Sequence, residues 1–200
     1  MNGQTTIVRL LRGQRGFTAI ELLVSVVLSA VVGIIIFSVF FSSRDSYVDT
    51  RNVAITQSDS RNLMSLLAQD LRSAGSNPRR VGTVQRLPVA NGFVVRIQSD
   101  SDGNGMVNAA GEPAEDVTWA FDAVAESITR TTPEGTTTLL TNVTALQFVY
   151  LDAGGNVLGP LPLTPEDRDL VRAVDVALSV RILDDATRTW NTVLALRNDP

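Results

Sequence analysis

The sequence predicts an α+β fold: one long N-terminal helix, half of it membrane-embedded, whose other half packs on an antiparallel β-sheet head. Three observations predict it. An apolar run, LLVSVVLSAVVGIIIFSVFF, extends from Leu22 to Phe41 without a charge. A stretch free of Gly and Pro follows from Ser46 to Ala74 and carries apolar residues at helical spacing. The remaining part, about 120 residues, is long enough for one compact domain, and its apolar residues alternate with period two.

The apolar run is long enough to span a bilayer as a helix. Arg9, Arg12 and Arg15 precede it, with no acid among residues 1–16, whereas Arg44, Asp45 and Asp49 follow it. Cytoplasmic loops gather positive charge, so this asymmetry keeps the N-terminus inside and exports the C-terminal part. Glu21 is the anomaly. An acid near the centre of a membrane helix costs about 2.5–3.5 kcal/mol, less near an end, so a partner and a functional role are the default reading. A cleaved signal peptide has a shorter apolar core followed by a small-residue cleavage site, and Leu28-Ser29-Ala30 matches that site poorly. A plain signal anchor explains neither the Gly16-Phe17 junction nor Glu21.

Past the apolar run the helix continues. At 3.6 residues per turn Leu63, Leu67, Leu71 and Ala74 align, with Met64 and Leu66 beside them and Arg61, Ser65 and Arg72 opposite. That is an amphipathic helix with one buried face. Asp70 falls near the apolar face, where it either bonds to the head or sits at the edge in solvent. Gly75 is a C-cap and Pro78 stops any continuation. One continuous helix over residues 17–75 would reach about 90 Å.

The head reads as half-buried antiparallel strands. Phe93, Val95 and Ile97 alternate, as do Val117, Trp119 and Phe121, and then Leu146, Phe148 and Tyr150. Val174, Val176, Leu178, Val180 and Ile182 give the longest run, and Trp190, Thr192, Leu194 and Leu196 the last. Turns are expected at Pro133-Glu134-Gly135, Ala153-Gly154-Gly155-Asn156 and Asp184-Asp185, with a loop over 159–165. The resulting division is a leader (1–16), a transmembrane half (17–41) and an amphipathic half (42–75) of the helix, and a β-rich head (76–200).

Composition narrows the chemistry. The chain has no Cys, His or Lys; all 17 basic residues are Arg. Disulfides are excluded, as are Ser–His, Cys–His and Ser–Lys nucleophile pairs and zinc sites built on His or Cys. Loss of residues 1–16 would remove three arginines and no acid, leaving 14 basic against 21 acidic residues. Such a chain is poorly suited to phosphate backbones, so nucleic acid is not an expected partner. The Arg79, Arg80, Arg86 cluster is the local exception and reads as a solvated loop.

One segment carries a metal-ligand pattern. In SDSDGNGMVN, residues 99–108, Asp100, Asp102, Asn104 and Gly105 match the opening of a calcium loop, with Asn108 at its ninth position. Alternating oxygen ligands wrap a hard cation and glycine permits the sharp bend. Gly111 stands where an EF-hand needs its bidentate acid, and Glu112 comes one residue late, so a true EF-hand is not expected. Seven acids and no base lie between Ile97 and Thr129: Asp100, Asp102, Glu112, Glu115, Asp116, Asp122 and Glu126. Converging carboxylates favour a cation, whereas Asp-Gly and Asn-Gly also make ordinary solvated turns. Calcium is thus a candidate ligand, and no cofactor is required.

At RGFTAIELLVSVVLSAVV the chain resembles the type IV pilin and pseudopilin family. The resemblance implies cleavage between Gly16 and Phe17 by a membrane prepilin peptidase and N-methylation of Phe17. It also implies pairing of Glu21 with the amino terminus of a neighbouring subunit. Major pilins commonly carry a proline in the apolar helix and a C-terminal disulfide loop; this chain has neither. LMSLLAQDLRSAG, SITRT, NVTALQFVYLDAGGNV and RAVDVALSVRI are similar to PilW-type minor pilins and J-type minor pseudopilins. The resemblance implies a structural minor pilin in pilus initiation or at the tip, held in the bacterial inner membrane with its head outside the cytoplasm. Its partners would be the peptidase and other pilins or pseudopilins. A minor pseudopilin of a type II secretion system is the alternative, and a membrane-anchored carboxylate enzyme or a tip adhesin a further one. No enzyme is expected.

Overall fold

The computed structural model describes residues 16–107, 115–183 and 186–198. Residues 1–15, Asn108, Glu112 and the Asp184-Asp185 turn lie outside the described residues. The chain divides into two compact units, Met1–Val48 and Asp49–Pro200.

Helix α1 covers Ala19–Ser73 without interruption. In the first unit its apolar side chains, from Leu22 at 61% to Phe41 at 49%, are exposed. This stretch is long and apolar enough to cross a membrane. In the second unit the same helix buries a seam. Leu63, Leu67, Leu71 and Ala74 are buried, and Arg61, Ser65 and Arg72 are exposed, as the 3.6-residue period predicts. Gly75 adopts φ +74° just past the helix end and donates its N–H to the Gln98 carbonyl at 2.8 Å.

The head contains two antiparallel sheets. The first is a meander of β1 (Val89–Ala90), β2 (Val94–Gln98), β3 (Asp116–Asp122), β4 (Ser127–Thr132) and β5 (Gly135–Thr141), in that order. The second pairs β6 (Val143–Leu151), β7 (Ala173–Leu183) and β8 (Ala186–Ala195). The chain passes from one to the other at Asn142, whose φ of 60° suits asparagine better than a branched residue. A six-residue helix, α2 (Pro165–Leu170), follows the 159–165 loop, capped by Thr164, whose side chain accepts from the Asp167 N–H.

The helix seam and both sheets share one core. Val95, Ile97, Val117, Trp119, Phe148, Tyr150, Val174, Val176, Leu178 and Val180 are all buried in it with Leu67 and Leu71. The predicted alternation therefore places the inward positions of β2, β3, β6 and β7 correctly. Phe93 is an exception; it precedes β2 and is exposed. This is the pilin-like α+β architecture: a long, partly apolar N-terminal helix packed on an antiparallel head.

Arg86 corrects one expectation. It is buried, not solvated, and its guanidinium donates to the carbonyls of Asn198, Arg168 and Asp169 at 3.0–3.2 Å. Its three carbonyl acceptors make it an internal tie between the segment after α1, helix α2 and the C-terminal strand's exit.

Candidate functional site

Two places bring sequence-singled residues together: the start of α1 and the connection between β2 and β3. At the first, Thr18-Ala19-Ile20-Glu21 forms a reciprocal capping box. The Thr18 N–H and hydroxyl both donate to Glu21 Oε2 at 2.9 Å, and the Glu21 N–H donates to Thr18 Oγ1 at 3.3 Å. The first turn of a helix leaves N–H groups without partners, and this T-x-x-E arrangement satisfies them. The acid that is anomalous in an apolar run therefore has a local role within its own chain. The T-x-x-E spacing that signals it is present in the sequence. Gly16 and Phe17 directly precede the cap; Phe17 is 78% exposed, and a Cβ at Gly16 would meet nothing within 4 Å among the described residues.

At the second place the β2–β3 ladder ends at the Gln98–Asp116 pair and is extended by the Ser99 N–H on the Glu115 carbonyl, 2.9 Å. Asp100 and Glu115 therefore stand at the two ends of one connection. Asp100 is fully buried, and its carboxylate accepts from the backbone N–H groups of Gly103, Asn104 and Gly105 at 2.7–3.1 Å. Gly103 and Gly105 have φ of +76° and +83°, which lets the backbone wrap around that carboxylate. Asp102 is exposed and accepts from the Asn104 N–H and amide, while Asn104 Oδ1 accepts from the Met106 N–H at 2.7 Å. Asn104 thus braces the loop and Asp102.

The sequence pattern makes Asp100, Asp102, Asn104 and Asn108 the expected ligand set, of which Asn108 lies outside the described residues. The structure brings Asp100 and Asp102 together with Glu115: one carboxylate oxygen of each lies within 4.8 Å of the other two. This acidic cluster can hold a divalent cation. Glu115 was visible in the sequence as one of seven acids. Its convergence depends on the antiparallel return of the chain, which no local spacing encodes.

Two nearby carboxylates of the head core, Asp116 and Asp70, have basic partners instead. Asp116, next to Glu115, forms a two-point pair with Arg96 and accepts from Gln98. Asp70 on α1 accepts from Trp119 Nε1 at 2.8 Å and from Arg130 at 2.9 and 3.2 Å. Of the two positions open to Asp70 in the sequence, the bond to the head is the one adopted.

No family model matches the chain, and no curated protein is significantly similar to it. Function is therefore read from the architecture and from these residues.

Proposed function

We propose that this chain is a structural minor pilin that acts in the initiation or tip complex of a type IV pilus. One observation carries the reading. A single carboxylate, Glu21, stands at the capped start of a helix whose apolar side chains from Leu22 to Phe41 are exposed. So large an apolar surface needs a cover. A bilayer supplies it first, and neighbouring helices supply it once the subunit is drawn into a filament. Repeated head-to-tail contacts that do not close make such a filament. The pilin-like fold supports the reading, since it joins an apolar helical stretch to a β-rich head.

In this reading residues 1–16 are a leader removed between Gly16 and Phe17 by a prepilin peptidase, and Phe17 is then N-methylated. Residues 17–41 anchor the subunit in the inner membrane, residues 42–75 link to the head, and residues 76–200 present it outside the cytoplasm. The partners are other major and minor pilins. Divalent-cation binding at the acidic loop is compatible with this role and is not required by it.

Intact-mass analysis of the membrane-extracted protein tests the reading. The expected mature chain starts at Phe17 with one added methyl group. An uncleaved Met1, or a terminus near Val31, overturns it. Gene deletion then separates the two machines: loss of surface pili with intact secretion supports the pilus, and the reverse assigns the subunit to a type II secretion pseudopilus.

A further inference from the structure

We propose that Asp100, Asp102 and Glu115 bind one divalent cation of calcium's class, which ties together the two ends of the β2–β3 connection. The inference stands apart from the filament reading, because it rests on the head alone.

The decisive group is Glu115. It is 1% exposed. Its Oε1 accepts from the Ser101 N–H at 2.6 Å and the Ser101 hydroxyl at 2.8 Å, but its Oε2 is buried without a hydrogen-bond partner among the described residues. A buried acceptor left unsatisfied is destabilising, and more so when it is charged. Neighbouring Asp116 avoids that cost through Arg96. Glu115 instead faces two further carboxylates, one of them, Asp100, fully buried. Like charges at this separation repel, and a cation between them reverses the sign of the interaction.

Geometry selects the class of ion. The three donors are hard oxygens, which suit calcium or magnesium rather than zinc or copper. Ligands on opposite sides of a calcium ion lie about 5 Å apart, and all three oxygens fall within 4.8 Å of one another. Asp102 is exposed, so water can complete an irregular shell of the kind calcium accepts and magnesium resists. Glu115, immediately before β3, supplies the acid that Gly111 fails to supply at the twelfth position of the loop.

Equilibrium dialysis of the full chain in detergent, stripped with chelator and then titrated with radioactive calcium, reads the site directly. The expected result is one ion per chain with a Kd of about 10⁻⁴–10⁻³ M. At ten times the Kd the head's thermal midpoint should rise by about 3–5 °C. Magnesium at the same concentration should give less than half that rise. Asp102→Asn removes an exposed charge and leaves the core intact, and it should weaken binding by at least about tenfold. Glu115→Gln should abolish the calcium response while raising the midpoint measured in chelator, because one buried charge is gone. Calcium uptake or stabilisation equal in wild type and both variants overturns the proposal, as does no uptake at 10 mM calcium.

Discussion

Asp152 closes the turn after β6 by accepting from the backbone N–H groups of Gly154 and Asn156, each at 2.8 Å, and from the Asn156 amide. These donors, the Asn156 side chain foremost, hold its carboxyl below the ordinary aspartate range. A carboxyl depressed in the folded state contributes stability that is complete above the unfolded value of about 3.9 and is lost as pH falls through the folded one. Asp152→Asn should therefore lower the thermal midpoint at pH 7, and the gap to wild type should close as pH falls from about 3.9 through the lower folded value, beneath which both side chains are neutral. A gap that does not change with pH would mean that shape, not charge, holds the turn. Asp-x-Gly-Gly-Asn announces this turn in the sequence because every partner lies within four residues. Glu115 shows the opposite limit. Its cluster partners are brought to it only by strand pairing, so its role becomes legible with the fold and not before.

The half of α1 within the second unit is held to the sheet by two kinds of contact, and they differ in how far the sequence reveals them. The apolar seam of Leu63, Leu67 and Leu71 follows from periodicity, since a helix repeats its face every 3.6 residues. The polar tie at Asp70 does not, because its two donors are directly opposed residues, Trp119 and Arg130, on neighbouring strands β3 and β4. Strand β5 lacks a sequence signal for a third reason. Its GTTTLLT sequence places consecutive, exposed threonines on both faces, so alternation is lost and only Leu140 is buried. Asp70 is largely buried and Arg130 is 19% exposed, so removal of one partner strands the other. Asp70→Ala should cost about 3–5 kcal/mol in urea denaturation followed by tryptophan fluorescence. Asp70→Asn keeps the acceptor for Trp119 and should cost less. A loss under about 1 kcal/mol for the alanine variant would reduce the pair to a surface contact.

At the scale of the whole molecule, Glu21 carries two demands that a single substitution confuses. Within its own chain it completes the capping box with Thr18. In the proposed filament it meets the amino terminus of a neighbour. Alanine removes both contributions. Glutamine keeps the cap, because Gln serves at the third helical position as Glu does, but it has no charge to offer an amine. Both variants should reach the membrane fraction at wild-type levels, since each removes a charge that is costly in lipid. If the inter-subunit pairing holds, both should be depleted from sheared filaments by about tenfold or more, because an amine left without its counter-charge among packed helices is strongly destabilising. Glutamine at wild-type level beside a depleted alanine variant would assign Glu21 to helix capping alone. The comparison thus turns on a residue pair, Thr18 and Glu21, whose hydrogen bonds are already complete before any second subunit arrives. Assembly would have to exchange a local cap for a charge pair, and only the charge-dependent half of that exchange distinguishes the two variants.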